Sequence, residues 1–188
     1  GDGVFIGPDN SVACSAANYS PENIYIEGTL IENPNRHTLG IWAGKNCIFK
    51  DVTGYKHNNF VAAIDIEPNS SLPCATVDNL LFDSCYSVSD GSSTTDDYIS
   101  QYGLNLKGKA EPFQIDCVST AGHKWGDIVV KNSTFIARNC MAVMCTGESN
   151  LEYFTRNLVF ENCKFESNYG AFSLWGRESI TVKNCVAN

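Results

Sequence analysis

The sequence predicts an all-β solenoid of about six stacked coils, and three observations carry that prediction. One strand-like pattern, an Asn or similar residue followed by apolar–x–apolar and then a turn residue, returns along the whole 188-residue chain. A second kind of short apolar run alternates with it. No stretch of ten residues has the 3.6-residue periodicity of an amphipathic helix.

The first kind of run reads NIYIEGT at 23, NCIFKDV at 46, NLLFDSC at 79, DIVVKNS at 127, NLVFENC at 157 and SITVKNC from Ser179. Apolar side chains take alternate places and β-branched or aromatic residues are common, which predicts strands. The second kind reads GVFIG at 3, GIWAG at 40, AIDIE at 63, GLNLK at 103, AVMCT at 142 and AFSLW at 171. Each coil therefore holds at least two short strands joined by Asn/Gly turns. A β-sandwich would also space strands this way. The columns favour the solenoid: Asn132, Asn162 and Asn184 precede Ser133, Cys163 and Cys185. Stacking like on like lets each amide bond the coil above or below, and a sandwich gives no reason for such columns.

Length and composition bound the rest. At 43% hydrophobic and with no Gly/Ser/Pro linker, the chain predicts a single domain over 1–188, with a polar insertion at about 86–102, SVSDGSSTTDDYISQYG from Ser87. A formal charge of −8 without a Lys/Arg run argues against nucleic acid, whose phosphates need a basic footprint. It disfavours an anionic membrane surface for the same reason. No run approaches the ~18 apolar residues of a membrane span, and the first residues lack the basic start of a signal peptide. The nine cysteines include no C-x-x-C pair or zinc-like spacing, so they are expected as mostly free, buried thiols, as suits folding in a reducing compartment. The sequons at Asn18, Asn69 and Asn132 are read as coincidence in an Asn- and Ser-rich chain.

The N-I-x-I-x-N-C signature, together with GDGVFIG, RHTLGIWAGKNCIFKDV and AAIDIEPN in that order, resembles the right-handed parallel β-helix proteins: the pectate-lyase superfamily and the tailspike or appendage proteins of bacteriophages. The resemblance covers essentially the whole chain as a fold. It implies a polysaccharide or bacterial surface glycan as partner, a homotrimer in the tailspike case, a location on a virion tail or outside the cell, and a calcium ion only in the case of a lyase. A polygalacturonase-like member would show Asn-Thr-Asp, Asp-Asp, Gly-His-Gly and Arg-Ile-Lys in order. Here Asp2 lies in GDG, Asp96-Asp97 in the insertion and His123 in GHKWG, so those catalytic roles do not carry over. The chain begins on a strand and ends at KNCVAN without a polar cap, which leads us to expect a piece of a longer chain.

The second strand of each coil supplies the candidate site. In AIDIE, Ile64 and Ile66 point inward, so Asp65 and Glu67 are expected outward, about 6.6 Å apart along the strand. Phe5, Trp42, Asn105, Met144 and Ser173 are expected to share the Asp65 column, and Gly7, Gly44, Lys107, Thr146 and Trp175 the Glu67 column. Aromatic faces stack on pyranose rings and polar groups bond hydroxyls. Asp65 and Glu67 are thus the catalytic candidates, as acid and base of glycoside hydrolysis. Phe5, Trp42, Asn105, Lys107 and Trp175 are the substrate-binding candidates. His37 and His57, in loops before the Trp42 and Asp65 strands, are expected to overhang the same face. Lys107 or a histidine would serve as base in a lyase. Asp65 and Glu67 as plain surface charges, Glu67 paired with Lys107, and the aromatic columns as a subunit interface of a non-catalytic glycan-binding or structural shaft remain the alternatives.

Overall fold

The computed structural model describes residues 2–7, 20–32, 34–57, 62–67, 75–90, 111–117, 124–147, 156–174 and 179–188. These form a right-handed parallel β-helix of three sheets, with every strand hydrogen-bonded to the equivalent strand of the next coil. Sheet 1 stacks β1 (Val4–Ile6), β4 (Leu39–Ile41), β7 (Ile64–Ile66), β10 (Phe113–Cys117), β14 (Val143–Gly147) and β17 (Phe172–Leu174). Sheet 2 stacks β2 (Tyr25–Glu27), β5 (Gly44–Lys50), β8 (Thr76–Asp83), β12 (Ile128–Lys131), β15 (Leu158–Glu161) and β18 (Ile180–Lys183), with β11 (Lys124–Trp125) also on β8. Sheet 3 stacks β3 (Leu30–Glu32), β6 (Thr53–Lys56), β9 (Tyr86–Ser89), β13 (Thr134–Ala137), β16 (Lys164–Ser167) and β19 (Val186–Ala187).

The two recurring runs of the sequence are sheets 2 and 1. Sheet 3 is the strand that follows the two-residue turn after each sheet 2 strand, and the sequence pattern alone did not separate it. Residues 86–89, assigned above to the insertion, are its third strand; residues 91–102 lie outside the described residues.

The turn from sheet 2 to sheet 3 explains the columns. In each coil two residues join the strands, and the first has a left-handed backbone: Gly28 (φ 59°), Asp51 (50°), Ser84 (57°), Asn132 (52°), Asn162 (53°) and Asn184 (53°). Asn, Asp and Gly tolerate that region best, because short polar side chains bond locally or no Cβ clashes. The second residue is small and turns inward; Val52, Cys85, Ser133 and Cys163 are buried. Asn162 Nδ2 donates to Asn132 Oδ1 (3.3 Å) and Asn132 Nδ2 to Asp83 Oδ1 (2.8 Å). A second ladder runs from Asn79 to Asn46 (2.8 Å) and on to Asn23 (3.4 Å).

The core is a set of inward columns. Phe49 stacks on Phe82 (4.7 Å between centroids), Phe113 meets Phe82, Phe135 and Phe160 edge-on, and Phe135 stacks on Phe165. Each such buried ring contributes roughly 1.5–3 kcal/mol of transfer free energy. Outside sheet 2, Glu27, Lys50, Asp83, Lys131, Glu161 and Lys183 occupy one register and alternate in sign. Glu27–Lys50 (2.6 Å), Asp83–Lys131 (3.2 Å) and Glu161–Lys183 (2.8 Å) pair across rungs. Each surface pair contributes ~0–1 kcal/mol, but like charges at one rung would oppose stacking.

The cysteines follow the expectation where they are described. Cys47, Cys85, Cys140, Cys145 and Cys163 are buried thiols outside any disulfide, and Cys185 is a half-buried one. Burial pushes the thiols of Cys85 and Cys163 up to about 11 and that of Cys140 to about 12. They behave as inert apolar fillers.

Candidate functional site

The outward side of sheet 1 differs from the expected columns in its register. Phe5 pairs with Gly40, Gly40 with Asp65, Asp65 with Gln114, Gln114 with Met144 and Met144 with Ser173. Gly40, not Trp42, is beside Asp65, because Leu39 and Ile41 take the inward positions and leave Trp42 just past the strand. In the fourth coil the strand is Phe113–Cys117, not GLNLK, since Phe113 and Ile115 are the core residues there. Asn105, Lys107, Trp175 and His123 lie outside the described residues. Gly44 belongs to sheet 2 and leaves the face altogether. Met144 and Ser173 keep their expected column.

Trp42 adjoins Glu67 instead. The Trp42 amide bonds Ile6 O (2.8 Å), the Glu67 amide bonds Ile41 O (3.0 Å), and a Cβ on Gly7 would lie 3.3 Å from Trp42 Cβ. The same Cβ would also enter the Phe5 ring at 2.5 Å, so the absent side chain of Gly7 lets Phe5 fold over it. Phe5 is 45% exposed and meets half-buried Trp42 edge-to-face, with centroids 4.9 Å apart.

Asp65 lies on the outward side of its strand, as expected, but it is not exposed. It is 3% accessible, and His37, at 4%, brings Nε2 to 3.4 Å from Asp65 Oδ2. The turn between sheets 3 and 1, residues 34–38, carries that cover. His37 Nδ1 donates to Ala62 O (2.8 Å), which fixes the ring, while Arg36 Nη2 lies 3.2 Å from Nε2. The His37 amide donates to Asp2 Oδ1 (3.1 Å), and Arg36 Nε lies 3.8 Å from the same oxygen. Beneath the turn, buried Lys56 donates to Pro34 O (2.6 Å) and to Arg36 O.

The electrostatics follow from this burial. Desolvation lowers the His37 pKa, outweighing the Ala62 carbonyl and Asp2, which pull it up; Arg36 and Lys56 also lower it. The ring is therefore held neutral, with its Nε2 lone pair toward a guanidinium donor. Lys56 is pushed down from 10.5 to about 8 by the same desolvation. Among the described residues no group of three or more His, Cys, Asp or Glu is placed to hold a metal ion.

His57 is elsewhere. It directly follows β6 on the sheet 3 side, and its Nδ1 bonds Asp90 Oδ2 at 2.5 Å, so it does not overhang Asp65. Arg36 and Asp2 join the His37–Asp65 pair. Their adjacency was hidden in the sequence because it depends on how the 34–38 turn folds back. Asp90, Arg138, Tyr55 and Tyr86 form a separate group on the missed third sheet.

The geometry defines the class: a right-handed parallel β-helix carrying a carboxylate–imidazole pair next to a partly exposed aromatic pair on sheet 1. No protein-family model, curated protein or solved structure matches this chain.

Proposed function

We propose that the chain is a carbohydrate-active β-helix, binding a polysaccharide such as a bacterial surface glycan across the outward side of sheet 1 and cleaving it there by hydrolysis or elimination. The observation that carries this reading is the juxtaposition on one face of the Phe5–Trp42 aromatic pair with Glu67, Asp65 and His37. Aromatic rings supply stacking surfaces for pyranoses. A carboxylate beside a neutral imidazole supplies a proton acceptor and, after protonation, a donor. Glu67, half-buried next to Trp42, is the more accessible carboxylate, and Asp65 acts on His37. A tailspike-like homotrimer on a virion tail or a secreted enzyme fits the same reading. A calcium requirement belongs to its lyase form.

One observation favours a second reading, a non-catalytic glycan-binding or structural β-helix. At 3% and 4% exposure, Asp65 and His37 also make sense as a buried pair that locks the 34–38 turn onto sheet 1. A screen of bacterial surface polysaccharides, reading both reducing ends and the ultraviolet absorbance of unsaturated uronates, separates hydrolase, lyase and binder. With a cleaved glycan in hand, Glu67→Gln and Asp65→Asn are expected to abolish cleavage in folded protein. Full activity in both variants removes the site from sheet 1. Solution mass then separates a trimeric shaft from an open monomeric groove.

A further inference from the structure

The outer face of sheet 3 carries a pocket of about 260 Å³ that the sheet 1 reading does not use. Its floor is apolar and aromatic. Tyr55 pairs in register with Glu32 on one side and Val88 on the other, and Val88 pairs with Ile136. Tyr86 sits diagonally from Tyr55, their rings 6.0 Å apart and inclined at 62°, while the His57 ring runs nearly parallel to Tyr55 at 6.4 Å. Elsewhere the same face carries Thr53, Thr134, Lys164 and Glu166, with the exposed Leu30 and Val186 on its end strands.

The rim is built around one carboxylate. Asp90 Oδ2 accepts from His57 Nδ1 (2.5 Å) and Asp90 Oδ1 from Arg138 Nη1 (2.8 Å). The backbone of Asp90 is held in turn, its amide on Lys56 O (3.0 Å) and its carbonyl by Asn139 Nδ2 (2.7 Å). Arg138, with its side chain 62% exposed, commits only Nη1 to protein among the described residues. A guanidinium that lines the cavity and is oriented by one buttressed bond is prepared to donate to a ligand.

Charge selects the ligand. Of the lining residues Glu32 carries a carboxylate and Arg138 a guanidinium, while Asp90 stands behind the rim bonded to Arg138 and His57, so the pocket has no surplus positive charge for a phosphate or sulfate. The guanidinium also opposes a cation over the tyrosine rings, despite their suitability for one. What remains is a neutral, flat molecule with one apolar face and a polar edge. The volume lies just under the ~300–1,000 Å³ of drug-sized sites, which matches one ring rather than a chain.

We propose that this pocket is a binding site for a single neutral pyranose unit, stacked on Tyr55 with Tyr86 against its edge and its hydroxyls between Glu32 and Arg138. It stands independently of catalysis on sheet 1. The probes are the methyl glycosides of glucose, galactose and mannose, titrated to concentrations on the order of 10 mM, with the aromatic side-chain NMR signals as readout. At least one glycoside is expected to shift the Tyr55, Tyr86 and His57 resonances saturably. Tyr86→Ala is expected to weaken that binding about tenfold or more. Arg138→Gln, at an exposed position that leaves the fold intact, weakens it several-fold. Trp42→Ala on sheet 1 leaves it unchanged, so loss of polysaccharide binding in that variant alone reports on the other face. Absence of any saturable shift, shifts indifferent to both pocket substitutions, or tighter binding of glucuronate, phosphate or choline than of every neutral glycoside would each overturn the assignment.

Discussion

Asn162 donates from Nδ2 to Oδ1 of Asn132 on the neighbouring coil, 3.3 Å away, and both residues hold φ near +53°. The column thus combines two separable effects, a backbone that only certain residues adopt and an amide ladder between coils. Asn162→Gly keeps the first and removes the second. It is expected to cost about 0.5–1.5 kcal/mol, the net value of a hydrogen bond. Asn162→Ala loses both and adds about 1–2 kcal/mol for a Cβ in the left-handed region. Urea unfolding of the two variants checks the order; equal costs would mean that the ladder, not the backbone, selects asparagine.

The fourth coil offers a test of register. Phe113 is fully buried and touches the rings of Phe82, Phe135 and Phe160, joining the inward columns of all three sheets. Phe113→Ala is expected to lose about 3–5 kcal/mol, the usual cost of deleting a core phenylalanine. Gln114→Ala, one residue along and on the outward side, is expected to cost far less. Similar losses from the two would contradict the strand assignment.

These residues also show what was legible in advance. Sheet 2, and sheet 1 outside its fourth coil, could be read because large apolar residues alternate there and an asparagine, aspartate, serine or glycine marks each turn. Sheet 3 was hidden because its inward positions include Gly54 and Ser87, which give no apolar period. Trp42 misled by imitating an outward strand residue two places past Gly40. The side of the strand on which Asp65 lies was readable from Ile64 and Ile66, but its burial was not, since the cover comes from a turn 27–31 residues earlier in the chain. Likewise the sheet 3 pocket depends on Asp90 reaching residues 33 and 48 positions away. Local periodicity carries no such distances.

Lys56 gives a pH dependence with a definite sign. Its pKa falls from 10.5 unfolded to about 8 folded because its ammonium is desolvated under the 34–38 turn. The unfolded chain therefore binds more protons between pH 8 and 10.5, and stability rises with pH through that window. The full change is on the order of 3 kcal/mol. Lys56→Met should lack this rise, so the difference between wild-type and variant unfolding free energies, measured from pH 7.5 to 10, isolates it. A flat difference would mean that the ammonium is solvated.

His37 acts at the other end of the pH scale. Burial lowers its pKa below the usual 6.5, so its folded form resists a proton that the unfolded chain accepts. The sign is the same as for Lys56: stability is full above pH 6.5 and falls as acid takes the pH down toward the folded value. His37→Gln removes this titration, so wild type is expected to lose stability relative to the variant between pH 7.5 and 5. Asp65, with Oδ2 at 3.4 Å, provides the competing outcome. If protonation instead formed a strong imidazolium–carboxylate pair, the difference would run the opposite way, and stability would increase on acidification. Chemical unfolding of both proteins across that range, with the His37 resonance followed by NMR, decides whether the pair is a neutral structural contact or a charged one poised for proton transfer.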